Sequence, residues 1–301
     1  MTETAMSKRV MFENDGRRLV GDLFLPEGHA GRRLPGLVVT GAWTTVKEQM
    51  PGRYAAEMAR RGFAALAFDF RNWGQSEGSQ RQLEHPANKT ADIVAAASHL
   101  ATRPEIDPGR IGGLGICVSA GYMAGAVAAS PALRSLALIA PWLHDAAIVR
   151  EVYGGADGVE KLIAAGRAAQ SAFEATGEPA MALAASATDE KAIMFNAPYY
   201  TERDRGLIPE WENRFNLASW EPFLTFDGIA IAPRLEDRPV VMVHSEAAAI
   251  PHGAHDFYAA LPGPKSEFWL DNVTQFDFYD RDEPVGRASD AAADHFRKTL
   301  K

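Results

Sequence analysis

The chain has 301 residues, of which 47% are hydrophobic and 23% charged, enough apolar material for one large domain or for a domain carrying an insertion. Its net charge of -8 argues against nucleic acid or an anionic membrane surface as the main partner, because both are held by basic patches, and favours a small molecule. A single cysteine excludes an intramolecular disulfide framework and a cysteine-rich zinc site.

The opening stretch MTETAMSKRVMFENDGRR has no apolar h-region, and no run approaches the roughly 18 apolar residues of a membrane span. A soluble, cytoplasmic protein is expected. Repeats, low-complexity tracts and coiled-coil periods are absent. A hairpin is predicted from Arg9 to Glu13 and Leu19 to Leu25. The apolar runs LPGLVVTG, FAALAFDF, RIGGLGI, SLALIAPW, RPVVMVHS and SEFWLDN follow, each bounded by turn residues, and continuous apolarity suits strands buried on both faces. Helical patterns lie between them: Lys47 to Arg61, Asn88 to Ala101, Val118 to Ala129, Gly253 to Leu261 and Pro284 to Lys298. Alternation of strand and helix predicts an α/β protein with a mostly parallel sheet flanked by helices.

Residues 144–237 break the rhythm and are too long for a connection between a strand and a helix, typically about two to six residues. They are expected to form an inserted helical lid over the carboxyl edge of the sheet, on a core of residues 1–143 and 238–301. Tyr199, Tyr200 and Phe215 are candidates for an apolar pocket wall. The lid's exposed face leaves a homodimer open.

At IGGLGICVSAGY a strand runs into a helix through Cys117. A nucleophile elbow is such a turn, strained at one residue and requiring small residues two places before and after it. Gly115 and Ser119 fill those places, giving G-x-C-x-S. A register with Ser119 projecting and Cys117 and Gly121 as its small neighbours is sterically tolerable, but puts the turn two residues deeper. The remaining reading of Cys117 is a small buried residue at a helix start.

GLGICVSAGY resembles the elbow of the cysteine-nucleophile α/β-hydrolases related to dienelactone hydrolase. TGAWTTVKEQM, FDFRNWGQSEG and RDRGLIPEWENRFNLASWEPFLTFD resemble matching segments of a branch of uncharacterised bacterial hydrolases and fungal polyketide acyl transferases. The resemblance spans nearly the whole chain and implies the α/β-hydrolase fold. It implies attack by Cys117 on a small, apolar ester, lactone or thioester, with no cofactor. A helix N-terminus is expected to lower the thiol's pKa. The oxyanion donors implied are the backbone N–H of Val118 and one from GAWTT, with Trp43 chosen over Thr44. The acid implied is Glu246, with Asp145 as the alternative; Lys47 and Glu48 are expected to pair beside the mouth.

The family pattern departs at the base. Relatives carry a histidine in a context like T-H-x-D-x-Y-D, where this chain reads VTQFDFYD, so Gln275 stands in the slot while Thr274, Asp277 and Asp280 keep their places. Glutamine has no pKa in range and cannot shuttle a proton. Of the eight histidines, His29, His85, His99, His144, His244, His252, His255 and His295, the candidates for a substitute base are His144, His244 and His252. No trio has metal-ligand spacing, and no metal is expected. Three functions compete: an acyl hydrolase, an acyl transferase of polyketide type, and an impaired or engineered form that keeps a binding pocket. A dehydrogenase is excluded because GGLG at Gly112 to Gly115 lacks the G-x-G-x-x-G turn.

Overall fold

The computed structural model describes residues 6–28 and 31–301; His29 lies outside the described residues. Strands β1 (Met6–Asn14) and β2 (Arg17–Leu25) form the expected hairpin, paired antiparallel with Asn14 opposite Arg17. Asp15 and Gly16 at its tip both take positive φ, 52° and 66°, the twist-matched geometry for which Asp-Gly is suited. Then follow β3 (Leu34–Thr40), α1 (Met50–Arg60), β4 (Ala64–Phe68), α2 (Pro86–Ala101), β5 (Ile106–Ile116), α3 (Ser119–Ala129) and β6 (Leu133–Ile139).

Between β6 and the next sheet strand lie α4 (Ala146–Val152), α5 (Gly155–Thr176) and the short strands β7 (Met181–Leu183), β8 (Ala185–Ser186) and β9 (Met194–Phe195). After these come α6 (Pro198–Thr201), β10 (Arg214–Asn216) and α7 (Trp220–Leu224). The chain returns through β11 (Val240–His244), α8 (Pro251–Ala260), β12 (Lys265–Trp269), α9 (Asp277–Asp280) and α10 (Asp282–Thr299).

Eight strands form one sheet in the order β1-β2-β4-β3-β5-β6-β11-β12. Its antiparallel joins are β1 with β2 and β2 with β4; the remaining pairs are parallel. Leu37, Val38, Val39, Leu114 and Ile139 are fully buried, as continuous apolar strands between two helical layers must be. The carboxyl ends of β3, β5, β6 and β11 face one edge, the edge where ligands bind in sheets of this kind.

Two expectations change. The helix predicted from Lys47 begins at Met50, because Val46 to Gln49 form a turn closed by a bond from Val46 N–H to Gln49 Oε1 of 3.0 Å; Pro51 then fits the first helical turn, where its missing N–H costs nothing. The interval after β6 holds strand pairings as well as helices: β7 with β10 and β8 with β9. Its long helix α5 starts and stops at Gly154 and Gly177, both with positive φ. A Cβ on Gly166 would meet the backbone N of Glu221 at 3.0 Å, so glycine lets α5 approach α7.

Candidate active site

Cys117 takes φ of 57°, a conformation that non-glycine residues rarely adopt and that concentrates at functional turns. Its N–H bonds Ile139 O at 3.0 Å, and its carbonyl accepts from Trp142 N at 3.0 Å, so the end of β6 and the loop after it hold the turn from both sides. The flanking small residues have steric reasons. A Cβ on Gly115 would meet Ser119 O at 2.8 Å and Ala120 Cα at 2.9 Å, and one on Gly121 would meet the Phe226 ring at 2.9 Å. Ser119 is fully buried and its hydroxyl donates to Gly41 O, so the register with Ser119 projecting is not the one formed.

The Cys117 side chain opens on a cavity of about 510 Å³ whose walls include Trp43, Trp142, Tyr153, Tyr200, Phe223 and Tyr279. Groups able to donate lie beside its sulfur, the Tyr279 hydroxyl and the backbone N–H groups of Val118 and Trp43, and the Gln275 amide is next to them. Burial pushes the thiol pKa up, and these donors only partly offset it. The expected lowering at the start of α3 is overruled, because loss of water penalises the thiolate more than the helix end favours it. A larger, more open groove of about 1010 Å³ lies along α2, away from this chemistry; neither Cys117 nor Gln275 lines it.

Gln275 is held on three sides. Its Oε1 accepts from Ala249 N–H at 3.1 Å, and its Nε2 donates to Ala140 O at 2.9 Å and to the Tyr279 hydroxyl at 3.0 Å. Ala140 has φ of 43°, a strained setting at the end of β6. The amide orientation is determinate, since reversal would set a donor against Ala249 N–H and an acceptor against a carbonyl.

Glu246 is not brought to Gln275. Its carboxylate is 72% exposed and pairs with His255 Nε2 at 2.9 Å. Asp145, the alternative, caps α4 by accepting from Ala147 N and Ile148 N at 2.8 and 2.9 Å. Lys47 does pair with Glu48, yet it is buried, and Asp69 Oδ2 holds its Nζ at 2.9 Å; the cluster braces the turn before α1 instead of lining the cavity.

None of the histidines among the described residues lines the cavity. Both ring nitrogens of His144 are engaged, with Trp142 Nε1 at 3.0 Å and Phe223 O at 3.1 Å. His244 is buried against Trp269, at 5.2 Å between ring centroids, with neither nitrogen partnered. His252 faces Glu151 at 3.5 Å on the surface. Substitution of the base by any of these three is therefore not what the geometry offers.

Of the three aromatics assigned to the pocket wall, Tyr200 lines it. Its hydroxyl also donates to Trp43 O at 2.9 Å. Tyr199 lies one layer out, its hydroxyl accepting from Met50 N at 3.1 Å, and Phe215 is fully buried behind Trp43, at 5.0 Å between ring centroids. Neither lines the cavity: an aromatic-rich stretch does not say which ring of a cluster faces a void. Tyr279 was missed: its signal was the tyrosine of the VTQFDFYD pattern, four residues after Gln275, which one turn of helix brings beside it. Among the described residues no group of three or more His, Cys, Asp or Glu could hold a metal ion, and no helix is long and apolar enough to cross a membrane.

Comparison with known proteins gives the chain its kin. The uncharacterized protein PA2218 of Pseudomonas aeruginosa is 30% identical over 285 residues, covering 91% of this chain and 76% of that protein. Its crystal structure superposes with a TM-score of 0.88 at 27% identity, covering 99% of this chain and 95% of that one. The thiohydrolase aneE of Aspergillus aculeatus is 26% identical over 270 residues, 83% of this chain and 80% of that protein. The α/β hydrolase GrgF from a Penicillium species shares the fold, with a TM-score of 0.81 at 18% identity over 98% of this chain and 99% of that one. Residues 15–274 match the family described as X-Pro dipeptidyl-peptidase (S15 family), and the chain belongs to that family, built on the α/β-hydrolase fold.

Proposed function

We propose that this chain is a cysteine-dependent acyl hydrolase acting on small, apolar ester, lactone or thioester substrates through an acyl-thioester on Cys117, of the cysteine-nucleophile kind that its elbow resembles. One observation carries the reading. The Cys117 sulfur sits in a strained turn at the floor of an apolar cavity, with the N–H groups of Trp43 and Val118 directed at it. Two backbone donors beside a nucleophile are what a tetrahedral oxyanion requires, each worth about 3 kcal/mol. In this reading residues 144–237 are the lid, residues 1–143 and 238–301 the core, and Tyr200 part of the acyl pocket.

The reaction has two halves. Sγ attacks the carbonyl carbon, the carbonyl oxygen becomes an oxyanion held by the two N–H groups, and the leaving group departs with the thiol proton. Water then attacks the acyl-thioester and frees Cys117. Gln275 takes the place of the usual histidine, so neither half has an imidazole to carry the proton. Loss of a triad base costs about 10⁴ to 10⁶ in turnover while binding and the oxyanion donors survive. Thioesters suit such a site better than alkyl esters. A thiolate leaving group, with a pKa near 8.5, needs less protonation than an alkoxide, and the thiohydrolase relative accords with that preference.

The same Gln275 favours a second reading, acyl transfer, because an adduct slow to hydrolyse persists long enough for a bound thiol or amine to take it. Intact mass spectrometry after incubation with short acyl thioesters and activated esters tests both. The expected result is one acyl group on Cys117, absent from Cys117→Ala. No adduct and no turnover, with a ligand still raising the melting temperature, would leave a binding module in place of an enzyme.

A further inference from the structure

The proton that has no histidine to carry it has a different carrier beside the sulfur. Gln275 Nε2 has two protons; Ala140 O takes one at 2.9 Å and the Tyr279 oxygen the other at 3.0 Å. The amide is fixed in that sense by the Ala249 N–H on its Oε1 at 3.1 Å. Although the amide also lies beside the sulfur, both its protons are committed to these oxygens. Tyr279 therefore accepts from Gln275, and its own proton is left pointing elsewhere. Tyr279, Gln275 and Cys117 line the same cavity, and the Cys117 sulfur is the group beside that hydroxyl. Polarity runs one way along the chain of bonds, from Ala249 N–H through the amide and the phenol to Sγ.

We propose that Tyr279 is a catalytic residue that transfers the proton between Cys117 and the leaving atom. The inference rests on the acyl-thioester reading above. With substrate bound, the phenolic hydrogen rotates about its C–O bond from Sγ to the leaving atom, which turns the free lone pair of the Tyr279 oxygen to the thiol. As Sγ forms its bond to the carbonyl carbon, the thiol proton moves to that lone pair while the phenolic proton moves to the departing sulfur or oxygen. The Cys–acyl bond forms, the bond to the leaving group breaks, and Tyr279 ends as it began, neutral. Hydrolysis runs the same exchange: water gives a proton to Tyr279, Tyr279 gives one to Sγ, and a carboxylic acid leaves. The phenol never ionises, which its burial would oppose. Its ring is wedged beside Tyr199 and Phe276, at 5.1 and 5.8 Å between centroids, so the hydroxyl cannot swing away.

The test is Tyr279→Phe, which keeps the ring and removes only the hydroxyl. Acylation of Cys117 is timed by intact mass across a donor series from nitrophenyl esters to alkyl thioesters. A proton carrier matters most where the leaving group is basic, so the variant should lose about 100-fold with alkyl thioesters, a loss in the range for general acid–base catalysis, and less than about threefold with nitrophenyl donors. Equal losses across the series, or none, in a protein whose wild type is acylated, would overturn the role of Tyr279 and leave the nucleophile standing. Absence of any adduct on wild type would overturn both. Should the variant not fold, a proton inventory on wild-type acylation by an alkyl thioester decides: a quadratic dependence on the deuterium fraction reports two protons in flight, and a linear one rejects the exchange.

Discussion

His255 Nε2 lies 2.9 Å from Glu246 Oε1 at the surface, which turns the carboxylate after β11 away from Gln275. A histidine placed at 275 would meet Ala249, Ala140 and Tyr279 instead of an acid. Gln275→His is expected to raise turnover of thioesters by about 100-fold or more, with an inflection near pH 6.5. Adding Glu246→Gln should change that gain by less than about twofold, since an exposed carboxylate is well screened. Steady-state rates across pH 5 to 9 check both, and loss of the gain in the double variant would show that Glu246 reorients.

Cys117 should be a slow thiol at neutral pH. Burial raises its pKa, so the neutral form dominates below the ordinary cysteine value of about 8.5 and the reactive thiolate appears only above it. Alkylation by iodoacetamide, followed by mass at the one cysteine, is expected to inflect above that value in the native protein and near it in urea. An inflection below 7 would mean that the donors around the sulfur outweigh desolvation.

Gly115→Ala tests the elbow. The new methyl would sit 2.8 Å from Ser119 O and 2.9 Å from Ala120 Cα, backbone atoms that cannot rotate aside. The expected cost is about 1–3 kcal/mol in urea unfolding, together with loss of acylation as the turn shifts. Gly286→Ala, in open space within α10, should stabilise slightly, because alanine favours a helix interior by up to about 1 kcal/mol over glycine.

A buried histidine, His244, and a half-buried one, His295, make the fold sensitive to acid. Burial lowers His244 and His295 to about 4, against about 6.5 in the unfolded chain. Depressed values mean that the unfolded state takes up protons first, so stability is intact above pH 6.5 and falls as pH drops from 6.5 towards 4. Each should remove about 2 kcal/mol by pH 5. His244→Phe, which keeps an aromatic against Trp269, should lessen the loss between pH 7 and pH 5 measured by urea unfolding; an unchanged loss would place the titration elsewhere.

The parallel strands, the hairpin and the elbow were legible because their signals are local: apolar runs bounded by turns, Asp-Gly at a tip, and glycine where a Cβ cannot fit. Trp43 and Val118, to which the family resemblance points, line the cavity with Cys117. Glu246 could not be anticipated, because its direction depends on His255, nine residues on across a loop and a helix start. Tyr199 and Phe215 failed for a related reason. Aromatics that pack on one another form a cluster several layers deep, and an aromatic-rich stretch signals such a cluster without revealing which ring faces empty space.

The interval after β6 grips the loop after β3 at several points: Tyr200 on Trp43 O, Trp211 on Thr44 O and Gly206 O on Gln49 Nε2, at 2.9, 2.8 and 2.7 Å. On the proposed reading, a cover hinged like a door would drag with it the loop whose Trp43 amide holds the oxyanion, so entry by wholesale opening and a formed anion cradle would exclude each other. On that reading traffic passes the rim, where Val152 and Phe195 line the cavity and are 40% and 41% exposed. Width at that rim, not amplitude of swing, would then set the girth of whatever reaches the sulfur.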